Sequence, residues 1–473
     1  MSIEIIPSAK RLIRSLRDIG YEFVDAVADI VDNSIEAEAT LINITLKFDG
    51  EDSYLVISDN GLGMAPKEIQ EALRFGSNRS YDTSDDLGRF GLGLKTASLS
   101  QCERLTVSSR KGEERVRINS YCWDMAHIEY SNRWEILKIE NNELKDEVSK
   151  HLHRTTGTVV TWERLGRLLG YKYPSGEHAR KQADQMVENL KVHLGMIFHR
   201  FLSGEVDDKR IGIYINDTKV TPWDPYSRGE KNTQKLEKFL IPIDFAGQTY
   251  NVRLLGYILP PQPLYSSAKS HLQASGPNKW NRQQGFYIYR SNRIIQAGGW
   301  CGLRTSDEHT KLARIAMFIP SQLDELFQVN VAKKHLTLPR ELRLALSEKL
   351  IPIIQRAQDA YRDKSVGQES AGSTQLPSTQ RIDIDQKSNE STELSSKHHG
   401  QAAKKNAETS TKIEIDLHEL LEAAVTAAPV TSDKNRVMQM FKDLYALGSI
   451  IEANALTALL HKYMTTKRGL TIN

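Results

Sequence analysis

The spacing of apolar residues predicts an amphipathic helix near the start of the chain. Over residues 21–37, apolar positions recur at steps of three and four, which defines one buried stripe. That stripe consists of Phe23, Val24, Val27, Ile30, Val31 and Ser34. Asp25, Asp29, Asn33 and Glu36 fall on the opposite side, with Asp29 and Asn33 one turn apart. A carboxylate beside a carboxamide could hold Mg²⁺ and orient a water at a phosphate; the alternative is a solvated polar face.

Two strand signals follow this helix. Apolar residues alternate with polar ones over residues 42–48, and residues 54–58 form a compact β-prone run that ends in Asp59. Gly61 and Gly63 come next, so a flat ring could approach the backbone closely beside the Asp59 carboxylate. The exocyclic amine of adenine suits this carboxylate, because the carboxylate accepts hydrogen bonds and does not donate them. The alternative is an ordinary Asp-Asn-Gly turn.

A glycine-rich segment then runs into a predicted helix. The polar residues 76–87 suit a mobile lid, and Gly88, Gly91 and Gly93 lead into Leu94 and Lys95. Glycines ahead of a helix N-terminus offer N–H groups and a positive dipole end to phosphate. The segment completes neither a Walker pattern nor a Rossmann fingerprint, because it lacks the spacer of the first and the flanking elements of the second. Lys95 either reaches a phosphate or is a surface residue of the helix.

In this order, the segments resemble the GHKL ATPase superfamily, which includes gyrase, MutL, histidine kinases, heat-shock ATPase chaperones and MORC proteins. The resemblance implies ATP and Mg²⁺ as cofactors, Asp29 as the catalytic general base and Asn33 as the Mg²⁺ ligand. It further implies that Asp59 reads the adenine and that the Gly157-Thr158 pair lies nearby. The implied nucleotide-binding residues are Asn33, Asp59, Gly61, Gly63, Met64, Gly76, Gly88, Arg89, Phe90, Gly91, Leu92, Gly93, Leu94, Lys95 and Thr158.

Asp29 departs from the family pattern, which has Glu at this position. The shorter side chain withdraws the carboxylate by one methylene, and a misplacement of about 1 Å can cost ~10²-fold in rate. Either the pocket is adjusted to the shorter side chain, or the protein hydrolyses ATP slowly and uses binding as the signal. We expect weak but real ATP hydrolysis.

Residues from about 205 to 345 predict a second domain. Residues 285–296 alternate as in a strand and resemble the YxxNRxI strand of MORC proteins. Residues 327–339 resemble the transducer segment of MutL and gyrase, whose lysine reaches the γ-phosphate. Lys334 is the favoured counterpart of that lysine and Lys333 the other candidate; the alternative is a basic loop. Histidine kinases lack this domain, so prokaryotic MORC-like or MutL-like proteins are the best fit.

The predicted fold class is α+β. We expect a Bergerat-type ATP-binding α/β sandwich in residues 1–170 and a transducer-like α+β domain with flanking helices in residues 171–365. Residues 366–412 are polar and poor in apolar residues, which predicts a disordered linker. Residues 413–473 return to helical periodicity and form a small C-terminal module. That module could dimerise, dock a protein partner or form a self-contained bundle.

Composition limits the class of protein. A chain of 473 residues with 39% apolar residues is expected to hold two or three domains. No apolar run approaches the ~20 residues that span a bilayer, and no signal peptide opens the chain, so no membrane association is expected. Cys102, Cys122 and Cys301 are too few and too scattered for a disulfide scaffold or a zinc site. We expect a reducing, cytoplasmic compartment.

The net charge of +3 gives no general argument for nucleic acid. Between residues 269 and 340, however, Lys and Arg outnumber Asp and Glu. The aromatic residues interleaved with them are Trp280, Phe286, Tyr287, Tyr289 and Trp300. Such a surface could follow the phosphate backbone of double-stranded DNA. The alternative is a solvated basic face whose aromatic residues belong to the core.

These predictions combine into an ATP-driven clamp. ATP and Mg²⁺ would order the lid, bring Lys334 to the γ-phosphate and favour a closed homodimer. By analogy with the family, the clamp would act on DNA in restriction or phage defence. A chaperone-like or scaffold ATPase that clamps protein partners is the competing hypothesis. A third is a nucleotide-binding switch with little hydrolysis.

Overall fold

The computed structural model describes residues 7–18, 21–76, 93–112, 117–206, 210–328 and 336–369. The chain divides into two compact units, residues 1–375 and 376–473, and every described residue lies in the first. The predicted C-terminal module and most of the predicted linker therefore lie outside the described residues. Among the described helices, none is both long enough and apolar enough to cross a membrane.

The described residues form an α+β fold, as predicted. The helices are α1 (Ala9–Arg17), α2 (Phe23–Glu36), α3 (Pro66–Leu73), α4 (Gly93–Gln101), α5 (Met125–Ser131), α6 (Asp146–Arg154), α7 (Gly166–Leu169), α8 (Glu177–Ile197), α9 (His199–Ser203), α10 (Ala268–Ala274), α11 (Lys279–Gln283) and α12 (Arg340–Glu369). The strands are β1 (Leu41–Lys47), β2 (Tyr54–Asp59), β3 (Arg104–Arg110), β4 (Asn119–Asp124), β5 (Leu137–Ile139), β6 (Gly157–Glu163), β7 (Gly212–Ile215), β8 (Thr218–Lys219), β9 (Gln234–Phe245), β10 (Gln248–Ile258), β11 (Gly285–Arg290), β12 (Arg293–Ala297) and β13 (Ala313–Ile319).

The first sheet has eight strands in the order β5-β4-β3-β6-β2-β1-β7-β8. Its strands pair antiparallel except for β1 and β7, which are parallel. The predicted alternation in β1 is confirmed, because Ile42, Ile44 and Leu46 are buried while Thr45 and Lys47 are exposed. Those apolar residues share one core with buried side chains of α1, α2, α4 and α8. Helix α6 packs against the opposite face, which has a smaller apolar cluster.

The second sheet has five strands in the order β12-β11-β13-β10-β9. Helix α12 covers it with apolar residues at steps of three and four, namely Leu342, Leu346, Leu350, Ile353 and Ala357. The predicted strand at residues 285–296 is a hairpin of β11 and β12. Its two-residue turn consists of Ser291 and Asn292, with φ of 44° and 67°. Positive φ at both positions is the geometry of tight hairpin turns, and Asn adopts it more readily than most residues.

The two sheets share a continuous apolar core. Tyr287, Tyr289, Ile294 and Ala316 of the second sheet belong to the same buried cluster as the apolar side chains of α2 and α8. The hydroxyl groups within this region are also satisfied, since Tyr289 bonds to both His199 and Tyr226. Because protein cores are close-packed, this junction joins the sheets as one solid body.

The basic segment between residues 269 and 340 does not present its aromatic residues to solvent. Of the five aromatic residues named from the sequence, four are buried, namely Phe286, Tyr287, Tyr289 and Trp300. Arg290, Arg293 and Arg314 are buried as well. These four aromatic residues therefore belong to the core, which is the alternative to a DNA-contacting role that the sequence left open.

The predicted domain divisions differ from the arrangement of the described elements. β7 and β8 fall in the range predicted for the second domain, yet they extend the first sheet through the parallel pairing of β7 with β1. Residues 366–369, predicted to begin the linker, are the last residues of α12. The divisions beyond residue 369 stay predictions.

Candidate functional site

Helix α2 is buried on more sides than its polar pattern predicts. Asp25, Asp29 and Asp32 are exposed by 7%, 4% and 1%, while Asn33 is exposed. The alternative of a solvated polar face therefore does not hold for Asp25 and Asp29, which are buried. α2 packs against α4 on one side and α8 on another, and these neighbours cover the acidic residues. Buried carboxylates need hydrogen-bonding or charged partners to remain ionised.

Those partners come from α8 and from the second sheet. Arg293, the first residue of β12, donates from Nη1 to Asp29 Oδ1 at 3.1 Å and also pairs with Asp32 Oδ2. His193 Nε2 of α8 lies 3.3 Å from Asp25 Oδ1. Sequence analysis noted the YxxNRxI pattern but assigned no role to its arginine. No local signal identifies this contact, because 264 residues separate Arg293 from Asp29.

Tyr21 is a further buried residue of this cluster that sequence analysis missed. Burial and the neighbouring Asp29 carboxylate both raise the pKa of Tyr21, because an ionised phenolate beside a carboxylate is unfavourable. The Tyr21 hydroxyl therefore stays protonated beside Asp29, with its O–H as a hydrogen-bond donor.

The described start of α4 adjoins Asp29. A Cβ built on Gly93 would lie 3.8 Å from Asp29 Oδ2, so this oxygen lies beside the described start of α4. Leu94 follows and packs, half-buried, against the first core. Asn33 lies one turn after Asp29 on α2. The structure thus brings together Asp29, Asn33 and Gly93, as predicted, whereas Gly88, Arg89, Phe90, Gly91 and Leu92 lie outside the described residues.

Lys95 is a buried residue that joins two helices. Its Nζ donates to the backbone oxygens of Ala72 at 3.0 Å and Arg74 at 2.8 Å, at the C-terminal end of α3. Only 1% of the side chain is exposed, so the surface alternative is wrong, and burial lowers the pKa of Lys95 to about 8. A cation at a helix C-terminus is favourable. Lys95 therefore anchors α4 to the end of α3, immediately before Gly76, where the predicted lid begins.

Asp59 lies at the end of β2 in a ring of hydrogen-bond donors. Its Oδ1 accepts from the backbone N–H groups of Gly61 at 2.9 Å and Thr158 at 3.1 Å, and its Oδ2 accepts from the Ser34 hydroxyl at 2.9 Å. Burial nevertheless raises the pKa of Asp59, and these three hydrogen bonds only partly offset that effect. His151 Nε2 donates to the backbone oxygen of Asp59 at 2.8 Å.

The residues around Asp59 include three that sequence analysis did not assign to the site. Ser34 was placed in the apolar stripe of α2, although its hydroxyl bonds to Asp59. Ser109 accepts from the Met64 N–H at 2.8 Å and donates to the Gly157 backbone oxygen at 2.8 Å. His151 is the third. Polar residues inside predicted helices and strands are the signal that could have identified them.

Near Asp59, the neighbouring backbone leaves no room for a side chain at three glycine positions. Gly157 has φ of +135°, and a Cβ there would lie 2.0 Å from the Asp59 backbone oxygen. At Gly63, with φ of +69°, the corresponding distance to the Arg110 backbone oxygen is 1.9 Å. A Cβ on Gly61 would lie 2.5 Å from the Ala37 backbone oxygen. The sequence pattern at Gly61 and Gly63 indicates backbone that a ligand can approach closely. The neighbouring backbone of this chain, however, already excludes a side chain at both positions.

The two candidate lysines of the second domain, Lys333 and Lys334, lie outside the described residues. Two residues that flank this segment are hydrogen-bonded to each other: the Thr337 N–H donates to the Phe327 backbone oxygen at 2.7 Å. The assignment of a γ-phosphate lysine thus stays a prediction.

Comparison with known proteins finds similarity to one family in the first part of the chain. Residues 21–158 match the family of histidine kinase-, DNA gyrase B-, and HSP90-like ATPases. Similar proteins include the DNA mismatch repair protein MutL of Kosmotoga olearia, 32% identical over 87 residues, or 18% of this chain and 14% of MutL. Protein MICRORCHIDIA 5 of Arabidopsis thaliana is 29% identical over 121 residues, or 24% and 17% of the two chains. ATPase morc-1 of Caenorhabditis elegans is 33% identical over 88 residues, or 19% and 10%.

These relatives are matched over short segments only. The aligned part of this chain spans between 10% and 17% of their own lengths. The site residues on α2, β2 and α4 and at the start of β6 lie within the matched residues 21–158. Their partners Arg293 and His193 lie outside.

Proposed function

Because residues 21–158 form a histidine kinase-, DNA gyrase B- and HSP90-like ATPase domain similar to those of MORC and MutL proteins, we propose that this chain binds Mg-ATP and hydrolyses it slowly. The observation that carries the proposal is the pairing of two features on neighbouring elements. A buried acceptor carboxylate, Asp59, lies at the end of β2, and a second carboxylate, Asp29, is directed at a helix N-terminus.

Asp59 is suited to reading adenine. A carboxylate offers about four acceptor positions, and Gly61, Thr158 and Ser34 occupy three of them. The remaining position can accept the exocyclic amine of adenine and would reject a carbonyl oxygen there, because two acceptors repel. Ser109 links Thr158 and Met64, because its hydroxyl accepts from the Met64 N–H and bonds to the Thr158 hydroxyl.

The N-terminus of α4 is suited to the phosphates. Its free N–H groups and dipole favour an anion beside Gly93. Asn33, one turn after Asp29 on α2, offers an amide oxygen, which fits the preference of Mg²⁺ for oxygen ligands. Mg²⁺, when bound, would neutralise phosphate charge. The glycines that the family resemblance assigns to the lid base, Gly88, Gly91 and Gly93, and the predicted γ-phosphate lysine, Lys334 or its neighbour Lys333, complete the proposed site.

Asp29 acts as the general base of the proposed reaction. Its carboxylate accepts a proton from the attacking water, which adds to the γ-phosphorus as the bond to the leaving ADP oxygen breaks. The short aspartate side chain limits how closely the carboxylate approaches that water, so turnover is slow. If the separation is too large, the domain instead works as a nucleotide-binding switch.

We further propose that ATP binding closes a homodimer around DNA. The similarity to MORC and MutL proteins supports this, and exposed Lys269, Lys279 and Arg282 remain available for phosphate contacts. The neighbouring buried aromatic residues do not contribute base stacking to this interaction. A role in restriction or phage defence, and docking of a protein partner at the C-terminal module, extend the same proposal. Clamping of a protein client is the competing function.

Replacing Asn33 with alanine tests the site. We expect the rate of phosphate release from Mg-ATP to fall at least ~10²-fold, because a lost metal ligand removes several kcal/mol of charge stabilisation. Phosphate release is measured with and without closed-circular plasmid DNA. Asn189→Ala is the matched control, since Asn189 is also an exposed helical asparagine but lies on α8.

Each outcome of that experiment has a distinct meaning. Stimulation by DNA that Asn33→Ala abolishes supports the DNA clamp, whereas turnover indifferent to DNA favours a protein client. Turnover that survives Asn33→Ala contradicts the assignment of Asn33. ATP binding by the wild type without any phosphate release identifies the nucleotide-binding switch.

Adenine recognition by Asp59 predicts a pH dependence. Burial raises the pKa of Asp59 above its ordinary value of 3.8, so its carboxylate takes up a proton at a higher pH than an exposed aspartate does. A protonated Asp59 loses an acceptor position, and a charge-assisted hydrogen bond is worth roughly 1.5–3 kcal/mol. We expect the affinity for adenosine, which has no titrating phosphate, to fall ~10-fold or more as the pH falls through this raised pKa. Calorimetric titration from pH 7.5 downward measures it, and affinity that stays constant while the Asp59 carboxylate takes up its proton would contradict adenine recognition by Asp59.

A further inference from the structure

Arg293 of the second sheet forms ion pairs with helix α2. The tight turn at Ser291 and Asn292 ends directly before it, so Arg293 is the first residue of β12, at the edge of the second sheet. Its side chain is 4% exposed and lies 5.6 Å from the ring of Phe198, measured from the guanidinium carbon. Phe198 belongs to the core that joins the two sheets, so the guanidinium is packed against that core.

The guanidinium bonds to two carboxylates of α2 with the same nitrogen. Nη1 carries two hydrogens, and its acceptors are Asp29 Oδ1 and Asp32 Oδ2. Asp29 and Asp32 are three residues apart and so lie side by side on the helix surface. A nitrogen held between two fixed acceptors has little freedom to move, and it fixes the plane of the Asp29 carboxylate in return.

The two oxygens of Asp29 consequently face different elements. Oδ1 is held by Arg293, whereas Oδ2 is directed toward Gly93 at the N-terminus of α4. We propose that Arg293 is a positioning residue for Asp29, which aims Oδ2 at the water that attacks the γ-phosphate. This inference rests on the proposed function, in which Asp29 is the general base.

A purely structural role of Arg293 makes a different prediction. Arg293, Asp29 and Asp32 carry a net charge of −1 together, and removing the arginine alone leaves two uncompensated buried carboxylates. The double variant Arg293→Met with Asp32→Asn restores the net charge of −1 but leaves Asp29 without the guanidinium. If Arg293 only balances charge, this double variant recovers both folding and turnover. If Arg293 positions Asp29, the double variant recovers folding alone.

The conservative variant Arg293→Lys separates charge from geometry. Lysine keeps the positive charge, but its ammonium is a point charge on a flexible stem and lacks the planar fork of arginine. The matched control is Arg290→Lys, because Arg290 on β11 is equally buried and pairs with Asp324 at 2.8 Å, away from α2. All variants are made in the full chain, and their melting temperatures are recorded.

The experiment measures kcat for phosphate release and the Kd for a non-hydrolysable ATP analogue. We expect Arg293→Lys and the double variant each to lower kcat ~10²-fold, as a misplacement of about 1 Å does, with Kd within about threefold of wild type. Arg290→Lys is expected to retain wild-type kcat. This separation of kcat from Kd is a readout that a purely structural contact would not give.

Two results would overturn the inference. If either folded Arg293 variant keeps kcat within about threefold of wild type, or exceeds it, Arg293 does not position the base. That result is distinct from failure of the proposed function itself, which is detected with Asp29→Asn. If Asp29→Asn retains wild-type turnover, Asp29 is not the base, and both the proposed mechanism and the role of Arg293 fail together.

Discussion

Asp29→Asn is expected to lower the rate of phosphate release by ~10²–10⁴-fold, the usual contribution of a positioned general base. Asparagine has nearly the same shape as aspartate, and its amide oxygen can still accept from Arg293 Nη1. The substitution also removes one negative charge from a cluster that holds Asp25, Asp29 and Asp32. We therefore expect the variant to fold and to keep the wild-type Kd for ATP within a few-fold.

Single-turnover phosphate release and binding of a non-hydrolysable ATP analogue measure these two quantities separately. Asp184→Asn is the control, since Asp184 is an exposed aspartate of α8. Loss of binding together with loss of turnover would mean that Asp29 holds the nucleotide or its metal ion rather than the attacking water.

Gly157→Ala is expected to destabilise the protein by about 3 kcal/mol or more and to abolish ATP binding. At φ of +135° an alanine costs roughly 1–3 kcal/mol of backbone strain. Its Cβ would also lie 2.0 Å from the Asp59 backbone oxygen, and overpacking of this kind typically costs a further ~1–3 kcal/mol. Relief of the clash requires β2 and β6 to move apart, which breaks the Thr158 N–H bond to Asp59.

Urea unfolding and ATP binding test this prediction. Gly112→Ala is the matched control, because Gly112 has φ of +78° but no atom within 4 Å of the added Cβ. It is expected to show only the backbone cost of about 1–2 kcal/mol and to bind ATP normally. Equal effects of the two substitutions would mean that backbone strain alone, and not the close approach of Asp59, determines the result.

The sequence predicted the parts of the site that are encoded locally. Asp59 at the end of a strand, Gly93 at the start of a helix and Asn33 one turn after Asp29 all follow from residue spacing within single elements. Such patterns survive folding because the periods of helices and strands are fixed by backbone geometry. The family resemblance then related these elements to one another.

The parts that the sequence did not predict depend on contacts between distant elements. The sequence places Asp29 on the polar face of α2 but does not indicate that α4, α8 and β12 cover it, because its partner Arg293 is 264 residues away. Lys95 was expected at a phosphate or at the surface, and it bonds to the end of α3 instead. The periodicity of one helix indicates which residues share a face, but it does not indicate which element will cover that face.

The core shared by the two sheets has a consequence for biosynthesis. A chain is made from its N-terminus, and residues 21–158 leave the ribosome long before β11, β12 and β13 do. Until then, the acidic residues of α2 lack Arg293, and the apolar side chains that meet Tyr287, Tyr289 and Ile294 lack their covering layer. The nascent N-terminal part of the chain therefore exposes apolar surface that favours aggregation. On the mechanism proposed above, it also lacks the residue that positions Asp29 until the second sheet has been translated.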